Sequence, residues 1–236
     1  MNTTINEQMT EPRKQTKRAI PRLEWLIILG LILLSLVPAL AGSVRVVELS
    51  TSTEITEANA RFFNSPLPVL LHIFSVIPYT ILGAFQFSRG FRRWKRWHKM
   101  VGRVLVVCGL VAALSGLWMS QFYTLPPGDG QFLYWQRVLF GWGMVASILL
   151  AVNALRRREY VTHGIWMMRA YAIGVGAGTQ VFTHIPWMLF FGTPDPFTRG
   201  MLMGAGWVIN LFVAEWIIRT RLMPRQRKIA LATAQR

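Results

Sequence analysis

The chain has 236 residues, of which 53% are hydrophobic and only 15% are charged, whereas soluble domains average about 25% charged residues. Its apolar residues come in blocks of about 20, which is the length that crosses a bilayer as a helix. This composition excludes an ordinary soluble domain and predicts an all-α, polytopic membrane protein with one membrane domain. The single cysteine, Cys108, excludes an internal disulfide and has no zinc or redox spacing.

The first part of the chain combines a basic tail with one apolar block. Residues 1–22 are polar and basic, which predicts a disordered cytoplasmic tail. Residues 23–44 are apolar, and we interpret them as a retained first helix. The end of this block, Ala39-Leu40-Ala41, also fits a signal-peptidase site, so cleavage there is the alternative. Residues 45–65 form a polar connection in which we expect a short interfacial helix.

Five further apolar blocks follow, and the loops between them are of two kinds. Residues 89–99 and 156–162 are basic, whereas residues 124–131 and 192–198 are Pro/Gly turns. The predicted membrane domain covers 23–219, and a second basic cytoplasmic tail covers 220–236. The predicted helices are about 23–44, 66–88, 100–123, 132–155, 163–191 and 199–219.

The basic residues are distributed unequally between the two sides of the predicted membrane domain. The tails and the two basic loops, with the helix ends beside them, hold 22 of the 26 Lys and Arg residues. By the positive-inside rule, this predicts six transmembrane helices with both termini cytoplasmic. The net charge of +16 then contacts anionic lipid headgroups, and we expect no nucleic-acid partner. The other side holds Arg45, Arg61, Arg137 and Arg199.

Recognised catalytic motifs are absent from the sequence. There is no Walker loop, dinucleotide fingerprint, H-E-x-x-H or G-x-S-x-G pattern. Glu215 is the only acid well inside an apolar block, which disfavours a carboxylate-driven proton or sodium transporter. Whether the protein is an enzyme is therefore left open by the sequence.

Two histidines lie inside the predicted membrane helices, towards the outer side. At 1.5 Å per residue, His72 and His184 each lie roughly 10 Å below the outer ends of their helices. Two histidines at one depth on two helices are what a bis-imidazole b-type haem requires, so we interpret them as candidate haem ligands. Gln180, one turn before His184, is a further candidate cofactor-binding residue, and no metal other than haem iron is expected. A mutual or backbone hydrogen bond is the alternative role for both histidines.

A second polar cluster is predicted at the cytoplasmic side. His98 and His163 lie where the third and fifth helices begin, and Arg103 and Arg169 lie a few residues further in. This cluster predicts an anion, lipid or quinone site, in a transporter or a lipid-binding protein. The alternatives are interfacial histidines that contact lipid phosphate and arginines that snorkel to the headgroups.

Small residues are concentrated in the third and fifth apolar blocks. Gly109, Gly116, Gly174, Gly176 and Gly178 would allow a haem macrocycle to approach the helix backbones. Small residues in membrane helices more often form packing surfaces, and Gly174-x-x-x-Gly178 has the spacing typical of that use. The third hypothesis is therefore a structural or assembly partner, such as a homo-oligomer, held together through these faces.

Three segments carry a resemblance to a known family. They are G-A-F-Q-F at 83–87, W-H-K-M-V-G-R at 97–103 and H-G-I-W-M-M-R-A-Y-A at 163–172. The chain resembles a widespread bacterial family of multi-pass membrane proteins of unknown function, whose motifs read H-R-x-x-G-R and H-R-x-W-M-x-R-S-Y-A. Lys99 and Gly164 stand where the family has arginine, and Ala170 stands where it has serine.

This resemblance covers about 66–215. It implies a multi-pass fold in the bacterial inner (cytoplasmic) membrane but no activity. A looser likeness is to the transmembrane ascorbate-reducible cytochrome b proteins, which have six helices and histidine pairs on both sides. This chain departs from their pattern because its fourth helix contains no histidine. We therefore treat that likeness as an analogy of architecture.

Overall fold

The computed structural model describes residues 21–51, 54–57, 59–126 and 128–234. All regular secondary structure in these ranges is helical, which confirms the predicted all-α membrane protein. The helices are α1 (Arg22–Thr51), α2 (Ala60–Asn64), α3 (Pro66–Gln86), α4 (Arg89–Arg92), α5 (Lys95–Phe122), α6 (Gln131–Arg156), α7 (Tyr160–Gly174), α8 (Gly176–Phe191), α9 (Pro196–Ile217) and α10 (Met223–Ala234), with a π-helical segment, Ile218–Leu222, between α9 and α10.

Five helices are long and apolar enough to cross a membrane, namely α1, α3, α5, α6 and α9 with its continuation to Arg227. The predicted continuous helix over 163–191 is corrected, because the structure divides it into α7 and α8 at Val175. Val175 lies between two glycines, which weaken a helix, and its φ of −85° and ψ of 5° interrupt the α-helical conformation. The Asn210 amide on α9 donates to the freed Ala172 carbonyl over 3.2 Å and so stabilises the break.

Together, α7 and α8 still run from one end of the helix bundle to the other. Near the start of α7, Thr162 is hydrogen-bonded to Gln226, which lies beyond the end of α9. At the opposite end, Phe132 at the start of α6 stacks on Phe197 at the start of α9. We call the end with α2 and the starts of α6 and α9 the outer end, and the end with α4 and the start of α7 the inner end. Six membrane crossings and cytoplasmic termini remain predictions.

Several boundaries differ from those predicted. Helix α1 continues to Thr51 and includes Ala39–Ala41 without interruption, whereas the sequence predicted an end near 44. Most of the predicted basic loop 89–99 is helical, because α4 and the start of α5 occupy it, and the predicted tail 220–236 continues as helix to Ala234. The predicted tail 1–22 lies almost entirely outside the described residues. Retention of the first helix remains a prediction.

The glycines of the α7–α8 junction are in close contact with neighbouring helices. A Cβ added at Gly174 would lie 2.7 Å from the Tyr79 ring, and one at Gly176 would lie 2.3 Å from the Trp207 ring. At Gly178 the added atom would lie 2.0 Å from the Leu34 carbonyl oxygen on α1. These positions therefore serve as packing surfaces for α3, α9 and α1.

Candidate functional site

A cavity of about 470 Å³ lies in the outer half of the bundle, between α1, α3, α5, α6 and α8. Ligand sites in proteins have volumes of about 300–1,000 Å³, so this cavity is large enough for a small molecule. Its wall is mostly apolar and has few polar groups, as is typical of a ligand pocket. The polar side chains that line it are Ser35, Arg61, His72, Thr80, Arg137 and Gln180, with contributions from Ser120, Tyr123 and Thr124 at its outer part.

The break between α7 and α8 forms part of the cavity wall. Gly174, Val175, Ala177 and Gly178 all line it. Non-helical backbone at membrane depth is tolerated only where protein buries it or where it lines a cavity, and here both conditions are met. The irregular backbone at the break is therefore part of the cavity wall.

His72 lines the cavity from α3, and its ring orientation is fixed by α5. Its Nδ1 lies 2.9 Å from the Ala112 carbonyl oxygen and 3.3 Å from the Ser115 hydroxyl. A carbonyl can only accept, so Nδ1 carries the proton and Nε2 of the neutral ring is left with a free lone pair. Histidines that bind metals are commonly oriented in this way, through a backbone carbonyl at the other nitrogen.

His184 has the same kind of contact but a different location. Its Nδ1 donates to the Gln180 carbonyl over 2.8 Å within α8, and its buried Nε2 has no partner in the described part of the chain. His184 is not among the residues that line the cavity, and no hydrogen bond joins it to His72. The Gly178–Leu34 and Gly42–Ile73 contacts place the two histidines within roughly 5 Å of each other in depth.

Gln180 lines the cavity from α8, but a neighbouring helix engages its amide. The Gln180 Nε2 donates to the Met203 carbonyl of α9 over 3.1 Å. On the same side of α8, the Thr183 hydroxyl donates to the Leu202 carbonyl over 2.8 Å. The polar residues of this turn therefore join α8 to α9, and Gln180 also faces the cavity.

Two arginines lie at the outer part of the cavity. The Asp129 carboxylate, whose side chain is 0% exposed, forms salt bridges of 2.7 Å with both Arg137 and Arg199. Arg61 instead donates to the Thr124 carbonyl over 3.3 Å, and within the described residues it forms no salt bridge. Desolvation lowers the pKa of the Arg61 guanidinium, Asp129 raises it, and the nearby Arg45 lowers it again. This end of the cavity therefore carries excess positive charge beside an apolar interior.

The predicted cytoplasmic-side residues are brought together only in part. Arg169 forms a bidentate ion pair with Glu215, at 2.5 and 3.2 Å, and lies over the Trp166 ring at 4.4 Å. Arg103 is exposed. His98 and His163 lie within electrostatic range of each other, and His163 Nδ1 donates to the Ala151 carbonyl of α6 over 3.0 Å. Arg169 therefore binds Glu215 instead of forming one site with His98 and His163.

The three motif segments of the sequence meet in the inner half. A Cβ at Gly83 would lie 2.5 Å from the Tyr171 ring, and the Tyr171 hydroxyl donates to the Thr80 carbonyl over 2.7 Å. The side chain of Gln86 lies beside Gly102. Gly164, where the resembling family has arginine, has open space around the position of an added Cβ. The motifs therefore describe one packed region, and the Gly164 departure leaves that packing intact.

Sequence reasoning missed four residues that the geometry brings into view. Arg61 and Arg137 were counted only as outer charges, Asp129 was assigned to a turn, and Asn210 was not noticed. The scarcity of basic residues on the outer side is the signal that could have found the arginines. Among the described residues, no group of three or more His, Cys, Asp or Glu is placed to hold a metal ion.

The architecture and the cavity define a class of protein: a helical, multi-pass membrane protein with a small-molecule-sized cavity near one face. Residues 69–218, more than half of the chain, match the family described as "Predicted membrane protein (DUF2306)". The chain belongs to this family, as the three motifs predicted, and the family's function is unknown. No curated protein and no solved structure matched the chain. The matched region includes His72 and Arg137 but excludes α1, α2 and Arg61.

Proposed function

We propose that this protein binds one amphipathic anion in the outer cavity, and that b-type haem is the ligand its chemistry fits best. The observation that carries this proposal is the orientation of His72. Its Nδ1 is held by the Ala112 carbonyl, which leaves the Nε2 lone pair for a ligand in a mostly apolar cavity. Imidazole nitrogen is the usual axial ligand of haem iron.

The other residues of the cavity match the remaining parts of such a ligand. Arg61 and Arg137 are positioned to bind two carboxylates, such as haem propionates, because guanidinium forks suit carboxylate oxygens. The apolar side chains, among them Ile77, Phe140 and Trp207, would pack on the body of the ligand and exclude water. Bound haem would supply one-electron redox chemistry, and the residues of this chain would bind and orient it.

A second residue would be needed at the other axial position of the haem iron. His184 remains the candidate from the sequence, because its Nε2 is buried without a partner in the described residues and its depth is close to that of His72. It would have to turn towards the cavity, which it does not line. Met119, Met144 and Met203 do line the cavity, and a thioether is the other sixth ligand found in cytochromes.

A transporter or binding protein for a lipid or a quinone is the second candidate function. The observation that favours it is the break between α7 and α8, which lines the cavity about halfway between the two ends of the bundle. Discontinuous helices beside a central site are typical of secondary transporters. In this case the lone pair of His72 would accept a hydrogen bond from a hydroxyl of the ligand, and the arginines would hold an acidic headgroup.

The visible absorption spectrum of the full chain separates the two candidates. The chain would be expressed with adequate haem supply, purified in detergent and scanned for a Soret band. His72→Ala should reduce the Soret absorbance per protein by at least about tenfold, because it removes the proposed axial ligand. His163→Ala is the matched control, since this imidazole also donates to a backbone carbonyl but does not line the cavity. The control should keep the wild-type spectrum.

A wild-type protein without a Soret band would exclude the haem proposal. Mass spectrometry of the small molecules that co-purify with the wild type, Arg61→Gln and Arg137→Gln would then test the second candidate. A lipid or quinone that is retained by the wild type and lost from both variants would support it. Equal retention in all three proteins would show that the cavity is not the binding site.

A further inference from the structure

We propose a second and separate site at the inner end of the bundle, where Arg92, Gln86 and His98 bind a phosphate-type oxyanion. This site lies at the opposite end from the outer cavity and does not depend on what that cavity binds. It takes one histidine of the predicted cytoplasmic-side cluster but replaces Arg103 and Arg169 with Gln86 and Arg92.

Gln86 and His98 both lie where α3 and α5 meet at the inner end. Gln86 is the last residue of α3, and its Oε1 would lie 3.8 Å from a Cβ at Gly102 on α5. His98 precedes Gly102 by one helical turn and therefore lies on the same face of α5. Both side chains thus belong to the contact between α3 and α5 at the inner end.

Two buried nitrogens at this contact lack hydrogen-bond partners in the described part of the chain. Within the described residues, neither Nε2 of Gln86 nor Nδ1 of His98 has a partner, and both atoms are buried. Most buried polar atoms are hydrogen-bonded, so two neighbouring exceptions require an explanation. The amide nitrogen can only donate, and Nδ1 of a histidine can donate as well. A ligand with several oxygen atoms would satisfy both.

Positive charge lies beside His98. Arg92 and His163 are electrostatic neighbours of His98. Desolvation lowers the pKa of the Arg92 guanidinium, and the nearby Arg225 and Arg89 lower it further, while Glu24 acts in the opposite direction. The Glu24 carboxylate already accepts hydrogen bonds from the Ser88 hydroxyl at 2.6 Å and the Gly90 amide at 3.0 Å.

The ligand chemistry follows from this combination. Two arginines elsewhere in the bundle have a carboxylate partner, because Arg137 pairs with Asp129 and Arg169 pairs with Glu215. Arg92 has Arg89 and Arg225 as electrostatic neighbours instead, and His98, which is within its electrostatic range, has a buried nitrogen that can donate a hydrogen bond. Guanidinium and amide donors together suit a phosphate group, which offers charge and several acceptor oxygens. The phosphate could belong to an anionic lipid headgroup or to a free phosphate ester.

Native mass spectrometry of the full chain in detergent tests this site with two probes, phosphatidic acid and inorganic phosphate. Arg92→Gln should weaken the binding of the phosphate-bearing probe by about tenfold, because it removes a charge-assisted hydrogen bond. Gln86→Met should weaken it by about threefold through the loss of one neutral donor. Arg157→Gln is the matched control, since it removes one exposed arginine from the α6–α7 connection at the same end and should change affinity by less than about twofold.

The outcomes of this titration are distinct. Binding of phosphatidic acid that inorganic phosphate does not displace identifies a lipid headgroup, whereas displacement identifies a soluble phosphate compound as the occupant. An equal loss of affinity in Arg157→Gln and Arg92→Gln would overturn the proposal, because it would show a diffuse surface charge effect. Failure of both probes to bind the wild type would overturn it as well. Circular dichroism of each variant confirms that the helices are intact.

Discussion

The outer and inner ends of the bundle use arginine in opposite ways. At the outer end, few arginines are present, and the buried carboxylate of Asp129 joins Arg137 to Arg199 beside an apolar cavity. At the inner end, arginines are many, and Arg92 has the cations Arg89 and Arg225 as neighbours. Asp129 therefore neutralises part of the positive charge at the outer end, whereas no carboxylate in the described residues forms a salt bridge with Arg92 at the inner end.

This difference separates two meanings of positive charge in a membrane protein. The abundance of basic residues at the inner end is what the predicted topology and an anionic leaflet would require. The outer arginines are not needed for topology, so their position beside the cavity points to binding. Counting charges alone would not separate the outer cavity from the inner site, whereas the location of the acids distinguishes the two ends.

The largest expected effect on stability comes from removing the carboxylate that pairs with two arginines at the outer end. Asp129→Asn removes the charge that holds Arg137 and Arg199 together, and we expect a loss of about 3 kcal/mol in the free energy of unfolding. The measurement is thermal or denaturant unfolding of the full chain in detergent, followed by circular dichroism. If the ligand proposed for the outer cavity also contacts Arg137, the fraction of protein that carries this ligand should fall in the same variant.

The matched control for this variant is Asp195→Asn at the same end. Asp195 caps α9 by accepting hydrogen bonds from the Phe197 and Thr198 amides, and asparagine caps helices equally well. We therefore expect little change in stability from this substitution. Equal destabilisation by the two variants would show that Asp129 is no more important than an exposed capping residue, and the contrast between the ends would lose its basis.

A second and smaller effect concerns packing along the divided helix. Gly178→Ala in α8 would place a methyl group 2.0 Å from the Leu34 carbonyl oxygen, so α1 would have to move. We expect a loss of about 1–3 kcal/mol, the usual cost of overpacking, measured by unfolding in detergent. In the inner half, Gly164→Ala in α7 meets open space and should stabilise the helix by up to about 1 kcal/mol.

If the free energy of unfolding falls in Gly178→Ala and rises in Gly164→Ala, α1 holds the outer half of the divided helix in place but not the inner half. If Gly178→Ala were also stabilising, α1 would be free to shift, and it could not form a fixed wall of the cavity. The same pair of variants therefore tests whether the cavity is closed by a helix outside the family region.

The sequence predicted the helical membrane fold well because hydropathy alone determines which segments can cross a bilayer. It predicted the depth of His72 and His184 for the same reason, since depth follows from helix length. It could not predict which way each side chain faces. Lipid and protein interior are both apolar, so the hydrophobic pattern of a membrane helix does not fix its rotation. His72 therefore faces the cavity while His184 does not, although their depths agree.

The division of the fifth helix was missed for a related reason. Gly174 and Gly176 are compatible with a packing surface and with a helix break, and the local sequence does not distinguish these two structures. The break depends on Asn210, which is distant in sequence and supplies the hydrogen bond that the Ala172 carbonyl needs. Likewise, Asp129 lies in a Pro/Gly turn, and its role depends on Arg199, which is 70 residues away.

The smallest predicted effect concerns the ion pair between Arg169 and Glu215, which lies towards the inner end. Their side chains remain 24% and 32% exposed, so the attraction between them is weaker than at the fully buried Asp129. A double-mutant cycle with Arg169→Gln and Glu215→Gln should give a coupling free energy of about 1 kcal/mol, measured by unfolding in detergent. A coupling as large as the Asp129 effect would show that the inner end also contains a strongly compensated charge pair. In that case the two ends would differ only in the number of arginines, and the unmatched cations around Arg92 would need an explanation other than a bound oxyanion.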